Sequence, residues 1–177
     1  MSSEAVWTLP GTEPVPAGPR GSLVGVYVEV EVETDDPVDV WPRAIQVLGW
    51  PNSAAGPLGT PPVRIEGEAF HRPWVVEIRY VAALMSRRAP RRAEDPAPAA
   101  RPRKYRAGFF VEVWVDTDDS TGEAWLIATR VLGWPMDVPR PAPVVVTRDV
   151  AGEHRSVTIL RSSPLMVRDL AGEPQAT

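Results

Sequence analysis

An internal repeat constrains this chain more than any other feature. Residues 24–36 read VGVYVEVEVETDD and residues 107–119 read AGFFVEVWVDTDD. At a fixed offset of 83, eight of these thirteen positions are identical: Gly25/Gly108, Val28/Val111, Glu29/Glu112, Val30/Val113, Val32/Val115, Thr34/Thr117, Asp35/Asp118 and Asp36/Asp119. One inserted residue later VLGWP recurs at 47–51 and 131–135, and Trp41 matches Trp125. Pro62-Val63 then matches Pro143-Val144 at an offset of 81, and His71-Arg72 matches His154-Arg155 at 83. Matches kept in this order make each copy one supersecondary unit, too small to bury its own apolar face.

Each copy predicts β-α-β-β. Val24, Val26, Val28, Val30 and Val32 alternate with Gly25, Tyr27, Glu29, Glu31 and Glu33, a period of two with one apolar face. Ala107, Phe109, Val111, Val113 and Val115 repeat that face. Thr-Asp-Asp supplies helix-capping oxygens, and Pro37 suits a first helical position. The helices should end near Leu48 and Leu132, with Gly49 and Gly133 as left-handed caps and Pro51 and Pro135 as stops. Pro42 would clash inside a long first helix, so that helix should begin near Trp41 or be kinked. Strands are expected at 62–70 and 74–82, turned around His71-Arg72-Pro73, and at 143–150 and 156–162, turned around Ala151-Gly152-Glu153. Trp74, Val76, Ile78 and Tyr80 are placed on one face of their strand, and Val75, Glu77 and Arg79 on the other.

The expected fold is α+β: two tandem β-α-β-β repeats, 22–85 and 107–167, related by a pseudo-twofold axis. Antiparallel sheets would carry one helix per repeat on one face. Residues 1–21 read as a disordered arm and 168–177 as a flexible tail. The Pro/Arg-rich linker 86–106 carries eight basic residues against Glu94 and Asp95, a net +6 that leaves −10 on the rest of a chain whose total is −4.

Composition removes several chemistries. With no cysteine there is no disulfide, thiolate metal site or cysteine nucleophile, and two histidines cannot make a histidine-rich metal cluster. No cofactor or metal is expected. No apolar run approaches the ~20 residues that span a bilayer, and the N-terminus lacks a secretory pattern, so no membrane and a cytoplasmic address are expected. Lys104 as the only lysine, beside 21 prolines, suggests a GC-rich bacterial genome.

Candidate site residues follow from the repeat. His71 and His154 are the candidates for acid–base work, although both fall at a predicted hairpin turn with no orienting carboxylate in view. Glu29 and Glu112 sit mid-strand away from the valine face. As a symmetric pair they could hold a cation or exchange protons. In the first repeat that face reads as a solvated, ion-paired surface of Glu29, Glu31, Glu33, Arg64, Glu66, Glu68, Glu77 and Arg79. In the second it is mixed: Phe110, Glu112, Trp114, Thr147, Thr158 and Leu160. Trp41, Trp50, Trp125 and Trp134 are assigned to core packing, whereas Trp114 stands where the first repeat has Glu31 and is expected to contact a ligand, a partner chain or the first repeat across the pseudo-twofold. The basic linker could touch phosphates, but an acidic body and a pI near 5.3 argue against nucleic acid.

The stretch VEVWVDTDDSTGEAWLIATRVLGWP (111–135) resembles the strand-then-helix opening of vicinal oxygen chelate modules, which are tandem β-α-β-β-β repeats. That resemblance implies the pseudo-twofold architecture. Of the family's His and Glu metal ligands, only Glu29 and Glu112 have a counterpart here. The expected function is a non-catalytic binding or assembly module that takes a small molecule or protein partner on the second-repeat sheet face, through Phe110, Glu112, Trp114, Thr158 and Glu29. The alternative is a small enzyme or ligand-sequestering protein with a pocket between the repeats. Homo-oligomerisation is left open.

Overall fold

The computed structural model describes residues 21–52, 61–89, 102–117, 123–136 and 141–169, with backbone alone at 167–169. The chain runs β1 (Ser22–Thr34), a single 3-10 turn (Pro37–Asp39), α1 (Val40–Leu48), β2 (Val63–Ala69), β3 (Arg72–Arg88), β4 (Arg103–Val115), α2 (Glu123–Leu132), β5 (Val144–Val150) and β6 (Glu153–Asp169). The expected arm 1–21, apart from Gly21, the linker centre 90–101 and the tail beyond 169 lie outside the described residues.

The six strands form one curled antiparallel sheet in the order β2-β3-β4-β1-β6-β5, with both helices on one face. The centre is the β1–β4 ladder, paired without a break from Ser22↔Val115 to Thr34↔Arg103. The β2–β3 hairpin pairs onto β4, and the β5–β6 hairpin onto β1. Each hairpin therefore completes the sheet beside the opening strand of the other half.

Alternation explains the core. Val24, Val26, Val28, Val30 and Val32 are all fully buried, as are Ala107, Phe109, Val111, Val113 and Val115 across the ladder. Burying a side chain of this size contributes about 1.5–3 kcal/mol, so this apolar face dominates the stability of the centre. Trp50 packs edge-on to Phe109 at 5.3 Å and to Trp134 at 5.8 Å, which joins the two halves under the helices. Trp41 departs from the expected core role: it is 37% exposed, and its indole donates to the Met85 carbonyl of β3 at 3.4 Å.

The helix ends follow the sequence. Gly49 (φ 68°) and Gly133 (φ 66°) are left-handed, and the amides of Trp50 and Trp134 close back onto Ile45 and Thr129. A Cβ on Gly49 would meet the Arg148 guanidinium at 2.6 Å, so glycine also admits a cation at the α1 carboxyl end. Pro37 initiates the 3-10 turn, where Asp36 accepts from the Val38 amide at 2.9 Å. Pro42 falls in the first turn of α1, where a missing N–H costs little.

The hairpins differ from expectation. Their two-residue turns are Phe70-His71 and Ala151-Gly152, all four at positive φ, the mirror-image turn geometry that suits strand twist. β3 and β6 each run 17 residues, well beyond 74–82 and 156–162. The reason is irregular register. β3 shifts against β4 between Ile78 and Tyr80 and again between Ala83 and Met85, and β6 shifts twice against β1. Each bulge breaks the period of two, so the apolar pattern stops being readable while the strand continues. The first bulge also turns Tyr80 over. It does not share a face with buried Ile78 but stands across from Glu112, 45% exposed. The strands likewise take residues 86–88 and 103–106 from the expected linker.

Candidate functional site

The face of the sheet opposite the helices is the candidate site. Its central residues are Leu23, Gly25, Tyr27, Glu29 and Glu31 of β1, set against Trp114, Glu112, Phe110, Gly108 and Arg106 of β4. Two glycines bring large neighbours close: a Cβ at Gly25 would meet Met166 and Phe110, and one at Gly108 would meet Tyr27 and Met85. Methionine and aromatic side chains thus lie flat over the ladder centre.

Glu29 is not part of a solvated surface. It is 6% exposed and accepts from Arg161 at 3.1 Å and from the Tyr27 hydroxyl at 3.3 Å, with Arg106 at 3.7 Å. Arg106 also reaches Glu31 at 3.9 Å, and Arg161 lies over the Tyr27 ring. Burial, and after it the Glu29 charge, push the Tyr27 hydroxyl above its ordinary value, because ionisation would put a second anion beside the carboxylate.

Glu112 has different surroundings. Across the ladder stand Gly25 on one side and Tyr80 on the other, with Leu23 on the diagonal beside Trp114. Phe110 and Trp114 flank it along β4. Tyr80 and Phe110 are 6.3 Å apart at a tilt of 58°. Trp114 is only 6% exposed, packed against Gly21 and covered by Arg79 at 5.2 Å. That indole is enclosed by the first half of the chain, which agrees with the third of its expected contacts, the first repeat, and leaves it little open to a ligand.

The register keeps the two carboxylates apart. Gly108, not Glu112, opposes Glu29, and Glu112 opposes Gly25, four residues away on β1. At about 3.4 Å per residue that separates them by on the order of 14 Å along the strand, too far to share one ion. Thr158 pairs with Glu31 on the β6 side and does not join Glu112 and Trp114. Phe110, Glu112 and Trp114 do form one row, with Glu29 on the neighbouring strand.

The histidines stand apart from this row. His71 is an exposed turn residue, and His154 is a strand residue whose Nδ1 lies 2.8 Å from Asp149 in an exposed pair. Their hairpins occupy opposite edges of the sheet. Among the described residues no group of three His, Asp or Glu side chains could hold a metal ion, and no helix is long and apolar enough to cross a membrane.

Sequence reasoning missed two parts of this surface and a cleft on the opposite side of the sheet. Arg161 and Arg106, which neutralise Glu29, lie on distant segments. Met85 and Met166 were unassigned, yet Leu84-Met85 and Leu165-Met166 repeat at an offset of 81 and mark equivalent strand ends. On the helix side, a cleft of about 570 Å³ opens between α1 and β3, lined by Val38, Trp41, Pro42, Ile45, Val81 and Ala83 among others. A repeat of Trp41 at Trp125 gives no hint that one of the pair is exposed.

A scan against protein-family models, a search of curated proteins and a search of solved structures each find no match.

Proposed function

We infer that the chain is a non-catalytic binding module, a duplicated β-α-β-β pair about a pseudo-twofold axis, that takes a small molecule or protein partner on its open sheet face. The observation that carries this reading is exposed apolar bulk where no helix packs. Tyr80, Met85 and Met166 are 45%, 41% and 44% exposed beside half-buried Phe110. Such residues gathered on one face cost solubility unless something covers them. The duplication is supported by the strand order, which reads the same from either end when β1, β2 and β3 are exchanged with β4, β5 and β6. It is supported too by Met85 against Gly108 and Met166 against Gly25, sequence-matched glycines on the two central strands.

The test uses carbon-13 methyl labels on methionine. Met85 and Met166 report on the open face, and Met136, bridged to Ser162 beside Pro135, reports on the other side. Small aromatic probes such as p-cresol and indole should shift the Met85 and Met166 methyls and leave Met136 still. Phe110→Glu should remove the shifts while the melting temperature holds within a few degrees. Shifts confined to Met136, or unaffected by the substitution, would move the site elsewhere.

The α1 cleft favours a second reading, a ligand-sequestering protein. Its volume falls within the range of small-molecule pockets, and among the described residues its walls are apolar apart from the amides of Gln46 and Asn52 and two indoles. No acid or base is among the described lining residues, which favours storage over catalysis. A Trp41→Ala variant that loses probe binding while Phe110→Glu keeps it would select this cleft over the sheet face.

A further inference from the structure

We propose that the Glu112 end of the open face is a binding site for an organic cation bearing an alkylammonium group. The inference rests on the binding-face reading above and gives that face a ligand chemistry. It comes from comparing what surrounds two carboxylates that the repeat places at matched positions. Around Glu29 the chain supplies its own cations. Arg161 stands across the ladder on one side, Arg106 lies on the diagonal, and Tyr27 donates a hydrogen bond. Around Glu112 every one of those places has lost its charge or its donor. Tyr80 stands where Arg161 stands for Glu29, Leu23 takes the diagonal, and Phe110 replaces Tyr27.

Glu112 consequently has no hydrogen-bond or ion-pair partner among the described residues, although it is half-buried. A half-buried carboxylate flanked by aromatic rings and left unpaired costs free energy unless a cation compensates it. The rings suit such a cation. Tyr80 and Phe110 form a tilted pair next to the carboxylate, and aromatic faces attract ammonium groups. Trp114 in the same row already carries a guanidinium, that of Arg79. The charge of Arg79 is taken by Glu77, which it contacts at 3.1 Å, so Glu112 keeps an uncompensated charge. An anion would meet the carboxylate, and a neutral apolar ligand would leave it unpaired. An alkylammonium group satisfies both the rings and the charge.

The experiment titrates n-butylammonium, the neutral and one carbon longer alcohol 1-pentanol and the anion butyrate into methionine-labelled protein. The Met85 and Met166 methyls serve as the readout. Butylammonium should bind at least tenfold more tightly than pentanol, and butyrate should not bind. Glu112→Gln, which keeps the shape and removes the charge, should bring butylammonium down to the pentanol level. Tyr80→Arg, which supplies an internal cation in the way Arg161 does for Glu29, should do the same. Nα-acetyl-lysine methylamide forms a further arm: binding tighter than that of butylammonium assigns the ammonium to a partner's lysine, and weaker binding assigns it to a free amine. If pentanol shifts the methyls and butylammonium binds no more tightly, the cation site is wrong and the binding face stands. If no probe shifts them, both readings fall. Retention of butylammonium affinity in a folded Glu112→Gln protein also overturns the site.

Discussion

Glu29 and Glu112 occupy the same position in a repeated strand, yet they are held in opposite ways. Glu29 is enclosed by two arginines and a tyrosine, and Glu112 by three aromatic rings, a leucine and a glycine. The strands that carry them share eight of thirteen repeated residues and supply part of the difference, Tyr27 against Phe110 and Arg106 against Leu23. The neighbouring strands supply the rest: β6 brings Arg161 to one and β3 brings Tyr80 to the other. A residue common to both sequence repeats is therefore paired in one and left without a partner among the described residues in the other.

The largest expected effect tests the structural half of this contrast. Glu29→Ala removes the acceptor shared by Arg161, Arg106 and Tyr27 and leaves two guanidiniums facing each other. Breaking a fully buried ion pair costs about 3–5 kcal/mol. The arginine side chains here are 44% and 24% exposed, so water recovers part of that. A loss of about 2–3 kcal/mol is expected, or on the order of 5–10 °C in melting temperature. Glu112→Ala should change stability by less than about 0.5 kcal/mol, because no hydrogen bond or ion pair is broken. Urea denaturation of the two variants side by side decides the matter. Equal losses would mean that the two carboxylates are held alike after all.

A smaller effect of opposite sign is expected from Tyr80→Arg. Across the ladder from Glu112, an arginine would form the ion pair that Arg161 forms with Glu29. Partly exposed pairs of this kind contribute about 0.2–1 kcal/mol, so the variant should be slightly more stable than the natural chain. Adding Glu112→Gln to it should remove the gain. A destabilised Tyr80→Arg protein would show that the tyrosine ring is needed for packing, and the unpaired state of Glu112 would then be a by-product of the core.

How much of this was legible in the sequence depends on where the period of two holds. The central strands have no bulge between them, so the valine faces, the helix caps at Gly49 and Gly133 and the burial of Trp50 and Trp134 follow from pattern and turn chemistry. Beyond Ile78 and Ile159 the register slips, and the face of Tyr80, the contacts of Arg161 and the length of β3 and β6 are lost to inspection. The histidine match misled for a related reason. β2 and β5 start at 63 and 144, and β3 and β6 at 72 and 153, so the hairpins align at 81 and not at 83. His71 is a turn residue and His154 a strand residue. Their shared His-Arg is not a shared position. Phe110, Glu112 and Trp114 share one row because three alternate residues on one regular strand need no long-range information. Thr158 lies apart from them, opposite Glu31, because strand order lies beyond local pattern.

The smallest effect concerns Tyr27, whose counterpart Phe110 has no hydroxyl to titrate. Burial, then the adjacent Glu29 charge, makes the folded-state hydroxyl harder to ionise than that of the unfolded chain. The native state then keeps a proton that the unfolded state has begun to lose. The stability this contributes is complete below about pH 10, the ordinary tyrosine value, and declines as pH rises from there through the raised folded value. Tyr27→Phe installs the side chain found at Phe110 and should make the alkaline decline shallower, with little change at pH 7 beyond the loss of one hydrogen bond of about 1 kcal/mol. Denaturation midpoints of both proteins between pH 8 and about pH 11 give the comparison, since any other alkaline titration is common to the two. Glu29→Gln should flatten the decline only in part, because burial, the first cause, remains. Parallel curves for the natural chain and Tyr27→Phe would mean that Tyr27 ionises as freely folded as unfolded, and that the enclosure of the Glu29 cluster is looser than its distances imply.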